Sequence, residues 1–283
     1  MDRKTTLEHI KKNSALLNAF LPAERIKSAT DEYDGRYRIE IEKSDGTTEG
    51  YSLKISSGPD DDDRLDVEYD SLKQISEQIS DVAPGFVPKP FARGNLNEPA
   101  PGLRFFVYGD YGEQKNKPTF KEYFWKSLNA IHSIQDENGL FGYPRPTYFR
   151  GDAQFVEQNS RWEDFFRQSM LYVLDRCQRT LSALQAPHEC LENMNTLREL
   201  SSTNSIFSTL IGTPESEGKI KPSLVHGNLD TSTVFLNTEE DPDSVSYTIV
   251  SPAVFYGHCE CKVYPSSLDG YVDSTTEALC PNT

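Results

Sequence analysis

Apolar positions along the chain follow two different rhythms. In "YRIEIEKSDGTTEGYSLKI", residues 37–55, Ile39 and Ile41 alternate with charged neighbours, the chain turns at Asp45-Gly46, and alternation resumes with Tyr51, Leu53 and Ile55. Successive side chains of a strand point to opposite faces, so this stretch predicts a β-hairpin with Lys54 on the face opposite Leu53. Before it, Leu7, Ile10, Leu16, Leu17 and Phe20 recur at helical spacing until Pro22, predicting a short leading helix over residues 5–20. After it, "LDVEYDSLKQISEQI" sets Leu65, Leu72, Ile75 and Ile79 on one helical face. "PGFVPKPFARG" is extended and punctuated by three prolines, and "RFFVYGDYGE", 104–113, reads as a buried strand running into a glycine-containing hinge. The intervening "GPDDDDR", 58–64, has no apolar anchor and reads as a solvated acidic loop.

From Lys121 the helical rhythm dominates, in "EYFWKSLNAIHSI" and again in "RWEDFFRQSMLYVLDRCQRTLSAL", separated by the loop "GLFGYPRPTYFRGDAQ". "SLVHG" follows as a strand, and "TVFLN" and "VSYTIV" form a hairpin across the polar turn "TEEDPDS". No internal repeat is visible. The expected division is an N-terminal lobe over 1–106, a hinge over 107–113, a C-terminal lobe over 114–263 and a tail over 264–283. The tail is Ser/Thr/Pro-rich without an apolar face, so it is expected to be disordered.

Charge narrows the partners. The 283 residues carry a formal net charge of −15, which would repel a nucleic-acid backbone or an anionic membrane surface. No apolar run approaches a membrane span, and the N-terminus is too polar for a secretory signal, so a soluble cytoplasmic protein is expected. Five cysteines give an odd, sparse count that does not read as a disulfide framework. "HCEC", 258–261, brings a His and two thiols together, but no second cluster completes a zinc site.

Motif order then carries a resemblance. "YSLKI", "VEYDSLKQI", "GFVPKPFARG", "LNAIHSI", "GLFGYPRPTYFRG", "RWEDFFRQSMLYVL", "KPSLVHGNL" and "SPAVFYGHCE" occur in the order seen in the fructosamine-3-kinase (ketosamine-3-kinase) family, over about residues 20–261. The chain therefore resembles an α+β, bilobal, protein-kinase-like (aminoglycoside-phosphotransferase-like) fold with a β-rich N-lobe and a helical C-lobe. The resemblance implies ATP with magnesium between the lobes and phosphorylation of the 3-hydroxyl of fructosamines or ribulosamines on glycated proteins. After about Glu260 it ends, which implies an incomplete C-lobe and an altered frame or splice boundary.

Within that resemblance, Lys54 stands where a strand lysine contacts the α/β-phosphates, and Glu68 where its helical ion-pair partner belongs. Asp66 and Asp70 flank Glu68 and could compete for the same role. The family loop His-Gly-Asp-Leu-Trp with an Asn five residues after the Asp is here His226-Gly227-Asn228-Leu229-Asp230, with Thr233 at the Asn position. An amide at Asn228 can orient a hydroxyl but cannot take its proton near neutral pH. The family's metal-binding Asp-Pro-Ala is Ser251-Pro252-Ala253, so both metal positions, Thr233 and Ser251, offer neutral hydroxyls. Asp230 would need a rearranged loop to substitute.

The turn expected to cover the phosphates reads "SATDEYDGR", with Asp31, Glu32 and Asp34 around a late Gly35. At about 4 Å and an effective dielectric near 20, like charges repel by on the order of 4 kcal/mol. Binding of ATP and magnesium is therefore expected to be weak or absent. His132 reads as a buried hydrogen-bonding residue; Trp162 reads either as core or as lining for an acceptor groove. These substitutions point to a pseudokinase that still binds a glycated protein, a ketosamine or a protein partner. The rivals are an active ribulosamine/fructosamine 3-kinase with a shifted metal site and a decayed or misspliced product.

Overall fold

A computed structural model describes residues 10, 25–33, 35–56, 58–96, 103–112, 120–202, 220–238 and 245–258. The expected leading helix, except Ile10, the tail and both cysteines of "HCEC" lie outside the described residues, as does most of the turn "TEEDPDS". The chain separates into two compact units: residues up to Ser127 together with Leu229–Pro252, and Leu128–Asn228 together with residues from Ala253 on. No helix among the described residues is long and apolar enough to cross a membrane.

The first unit is built on an antiparallel five-stranded sheet. Its strands are β1 (Arg25–Tyr33), β2 (Arg36–Glu42), β3 (Thr48–Ile55), β4 (Pro90–Asn95) and β5 (Arg104–Gly109), in the order β1-β2-β3-β5-β4. The predicted hairpin is β2–β3, with Ile39 opposite Tyr51 and Tyr37 opposite Leu53. Alternation gives the sheet two characters. Ile39, Ile41, Leu53, Phe105 and Val107 form one buried cluster with Ile10, Ile26 and Leu96, whereas Arg36, Ser52, Lys54, Phe106 and Tyr108 occupy the intervening positions and share the other face.

Strand β1 was not legible in the pattern. Its register with β2 shifts between Ile26 and Ser28 and again between Asp31 and Tyr33, so bulges break the two-residue period. The acidic loop expected at 58–64 is instead the start of helix α1 (Pro59–Gln78), with the proline in the first turn. Two effects replace the missing apolar anchor. Carboxylates at a helix N-terminus face its partial positive charge, and Arg104 on β5 pairs with Asp66 and lies 3.8 Å from Asp62. The later turns bury Leu65, Leu72 and Ile75 as predicted.

Helix α2 (Glu122–His132) and the hairpin β9 (Val234–Thr238)–β10 (Val245–Ile249) also have predicted positions. The proline-punctuated "GFVP" segment docks on β10: Phe86 C=O accepts the Ile249 N–H at 2.8 Å, and Thr248 Oγ1 donates to Gly85 C=O at 3.1 Å. Phe86 and Tyr247 both pack edge-on against Phe124 of α2. The hairpin at 229–252 groups with the first unit, not with the helices that precede it in sequence.

Among the described residues the second unit holds helices α3 (Trp162–Ala183) and α4 (His188–Ser202), two short two-stranded sheets and isolated bridges. The loop from Gly139 to Gln154 contains the small hairpin β6 (Tyr148–Phe149)–β7 (Asp152–Ala153) and is stitched to β11 (Phe255–Gly257), where Gly142 and Tyr256 exchange both backbone hydrogen bonds at 2.8 and 2.7 Å. β11 in turn pairs with β8 (Ser223–Val225).

Leu53 is fully buried between the sheet cluster and both neighbouring strands. Leu53→Ala is expected to cost about 2–5 kcal/mol in urea denaturation, while Val82→Ala, on a residue 71% exposed, should stay within about 0.5 kcal/mol.

Candidate functional site

In the first unit, Lys54 and Glu68 meet. Glu68 lies three residues after Leu65 and four before Leu72, so the helical face that buries those leucines also turns Glu68 toward the sheet. Lys54 comes from the charged face of β3, and its Nζ donates to Glu68 Oε1 at 2.6 Å and Oε2 at 2.7 Å. The ends are 18% and 13% exposed, so the pair is largely shielded from water. The flanking acids have other partners: Asp66 takes Arg104, and Asp70 takes Arg93 at 2.8 Å, whose guanidinium covers the Tyr69 ring. Glu68 is therefore the helical acid that faces Lys54. Beside them, burial pushes the Tyr108 phenol above its ordinary range, with the Lys54 and Arg36 charges pulling against it.

Ser251 joins this pair. Lys54 Nζ donates to Ser251 Oγ at 3.3 Å, across 197 residues of sequence. Ser251 has φ +56°, a left-handed conformation uncommon for a residue with a side chain. The preceding residue, Val250, donates its N–H to Thr233 C=O at 2.9 Å. The Thr233 hydroxyl works within its own turn: it accepts the Asp230 N–H at 3.0 Å and donates to Asp230 C=O at 3.1 Å. Asp230 is likewise engaged, since its Oδ1 accepts both the Ser232 N–H at 2.7 Å and the Ser232 hydroxyl at 2.5 Å, closing an Asx turn. Among the described residues no group of three or more His, Cys, Asp or Glu is arranged to hold a metal ion.

The β1–β2 turn is latched to the strand that carries Lys54. Gly35 has φ +71°, its C=O accepts the Ile55 N–H at 3.0 Å, and a Cβ there would stand 2.8 Å from Ile55 O. Asp31 lies in β1 opposite Tyr37; the Glu32 side chain and Asp34 are outside the described residues. On the same charged face sits a residue the pattern did not single out. Arg36 is 2% exposed, donates to Ser52 Oγ at 3.1 Å and lies over the Tyr111 ring at 3.8 Å. A cation at the start of a hairpin strand is ordinary in sequence, and the only available signal was its odd offset from Ile39, which sets it on the face away from the core.

In the second unit, the loop residue Asn228 is buried, at 7% exposure, beside fully buried His226. Gly227 is required by contact: it has φ +73°, and a Cβ would fall 1.9 Å from Ala253 O. The segment at Ala253, just before β11, is held by the Ala253 N–H donating to His226 C=O at 2.8 Å and by Gln154 Nε2 donating to Ala253 C=O at 2.9 Å. Gln154 was also missed, because a single glutamine at a loop end carries no sequence signal. Trp162 is 4% exposed in a cluster with Phe141 and Phe165, which leaves almost no ring surface to line an acceptor groove. The core alternative describes it, because its position at the first turn of α3 directs the indole under the Phe141 loop. His132 is buried at the end of α2.

The sequence profile of the fructosamine kinase family matches residues 8–271, continuing past Glu260, where the motif resemblance was expected to stop. Among solved structures, a candidate fructosamine-3-kinase from Haemophilus somnus 129PT superposes with a TM-score of 0.61 at 20% identity, over 90% of this chain and 75% of that one. A second candidate, from Thermobifida fusca YX-ER1, gives 0.57 at 18%, over 87% and 75%. No curated protein matches the chain. At these identities the structural likeness carries the α+β, kinase-like fold.

The contact at Gly227 can be separated from its backbone conformation. Gly46 has φ +83° with open space where a Cβ would stand, nothing lying within 4 Å, so Gly46→Ala should cost only the left-handed penalty, about 1–2 kcal/mol. Gly227→Ala adds the collision with Ala253 and should lose clearly more, measured as the shift in urea midpoint at constant m-value.

Proposed function

The chain belongs to the fructosamine kinase family, and from that premise we propose that it is a pseudokinase of that family, with phosphoryl transfer abolished or severely impaired and ketosamine or protein-partner binding retained. Kinases of this kind use ATP with magnesium in general, and transfer rests on positioned cations and a positioned base. The observation that carries the proposal is the contact of Lys54 Nζ with Ser251 Oγ at 3.3 Å. The ion pair that anchors the site is intact, yet the residue from the Asp-Pro-Ala position that reaches it brings a hydroxyl in place of a carboxylate.

The remaining donors support the same reading. Magnesium favours anionic oxygen ligands in a near-octahedral set. The Thr233 hydroxyl is engaged on both sides by Asp230, and the Asp230 carboxylate closes its own turn with Ser232. The side chains at these positions do not fit a magnesium ion held by protein carboxylates. A shifted site centred on Asp230 would first have to open that turn. At the base position, the Asn228 amide can hold an acceptor hydroxyl without removing its proton. The retained binding role draws on the preserved frame around the loop, where Gly227, Ala253 and Gln154 lock together.

No phosphorylation of a soluble fructosamine such as deoxymorpholinofructose is expected with magnesium ATP, and Asn228→Asp alone should not restore it. A positioned base contributes about 10²–10⁴-fold, but it cannot act on a phosphoryl group whose charge is not neutralised. Asn228→Asp, Thr233→Asn and Ser251→Asp together should recover a low rate, measured by radiolabel transfer at saturating ATP. Robust turnover by the unmodified chain that disappears in Lys54→Ala would overturn the pseudokinase reading and make Asp230 the next residue to mutate.

A further inference from the structure

The charged face of the sheet carries a second feature, which bears on the nucleotide and rests on the reading of Lys54 as the phosphate-contacting residue. Ser52 and Lys54 are two residues apart on β3 and share a face, so they lie about 7 Å apart along the strand. A nucleotide with its phosphates at Lys54 is long enough to set its base beside Ser52 on that face. The Arg36 guanidinium already stands there. It donates to Ser52 Oγ at 3.1 Å, sits 3.9 Å from Asp110 Oδ1, and covers the Tyr111 ring at 3.8 Å. Phe235 closes the same volume, its ring 5.8 Å from the guanidinium and 4.3 Å from that of Tyr111.

The chemistry of the occupant matters. A guanidinium is flat and delocalised, stacks on aromatic faces and donates hydrogen bonds in its plane. A purine would use the same aromatic face and the same polar edge. We propose that Arg36 is a built-in occupant of the nucleotide-base position, so that any nucleotide base must first displace it from Tyr111, Ser52 and Asp110. Displacement is opposed because Arg36 is 2% exposed and would leave its stack and its bond to Ser52 together. Asp110 does not depend on Arg36 for a counter-ion, since Arg38 holds its Oδ2 at 2.9 Å. Removal of Arg36 therefore need not strand a buried carboxylate.

Adenosine, which has neither phosphate nor bound metal, tests the base position apart from phosphoryl transfer. By calorimetry on the full chain, the unmodified protein should show no binding up to about 1 mM, and Arg36→Ala should bind at least about tenfold more tightly. Methylguanidine, which reproduces the lost planar cation, should compete with adenosine in Arg36→Ala. Arg36→Lys keeps the buried charge and removes the plane, so it remains informative if the alanine variant does not fold; it too should gain adenosine binding. Adenosine binding to the unmodified chain as tight as to either variant would overturn the proposal, as would a folded Arg36→Lys with no gain. Turnover of a fructosamine by the unmodified chain bears instead on the pseudokinase reading, so the two failures are distinguishable.

Discussion

A pleated strand must send alternate side chains to opposite faces, and that constraint organises the first unit. Once Ile39, Ile41, Leu53 and Val107 are committed to the core, Arg36, Ser52, Lys54 and Tyr108 have to share the other face. A slip of β3 by one residue against β2 would turn Lys54 into the core and Leu53 out of it. The hydrophobic demand of one face therefore fixes the charge constellation of the other, and helix α1 completes it by burying Leu65 and Leu72 on the side from which Glu68 reaches Lys54.

The motifs that tie the chain to its family are held mainly by packing. "FVP" docks through Phe86 on β10, the glycine of "HG" meets Ala253 at a distance that excludes any side chain, and Gly142 is stitched to Tyr256. None of these contacts depends on the identity of residues 228, 233 or 251. This independence leaves the side chains at those positions free to differ while the surrounding backbone keeps its geometry. At positions 230, 233 and 251 the side chains do local structural work: Thr233 and Asp230 close a turn, and the Ser251 hydroxyl accepts from Lys54.

Two features meet around Lys54. A neutral hydroxyl, that of Ser251, stands beside its ammonium, and the side chain of Arg36 fills the neighbouring volume on the sheet face. Both leave the Lys54–Glu68 pair in place. A part-buried ion pair is costly to break by removing one partner, which gives the Lys54–Glu68 pair a structural role of its own.

The amino-acid sequence by itself determined the β2–β3 hairpin, the apolar face of α1, the β9–β10 hairpin and the placement of Lys54 opposite Leu53, because each follows from a period the local chain cannot evade. It also determined that positions 228 and 251 lack carboxylates, which no fold can change. Tertiary structure decided what the periods could not express. Bulges hid β1, and the acidic run at 58–64 became the first turns of a helix, where its carboxylates face the helix N-terminus and Asp62 lies 3.8 Å from Arg104 of a distant strand. The choice of Glu68 over Asp66 and Asp70 was settled by the partners the other two found. Trp162 went to the core, and Arg36 came to rest on Tyr111, seventy-five positions away in the chain, because contacts of that range are made by packing of whole elements and leave no mark in the neighbouring sequence.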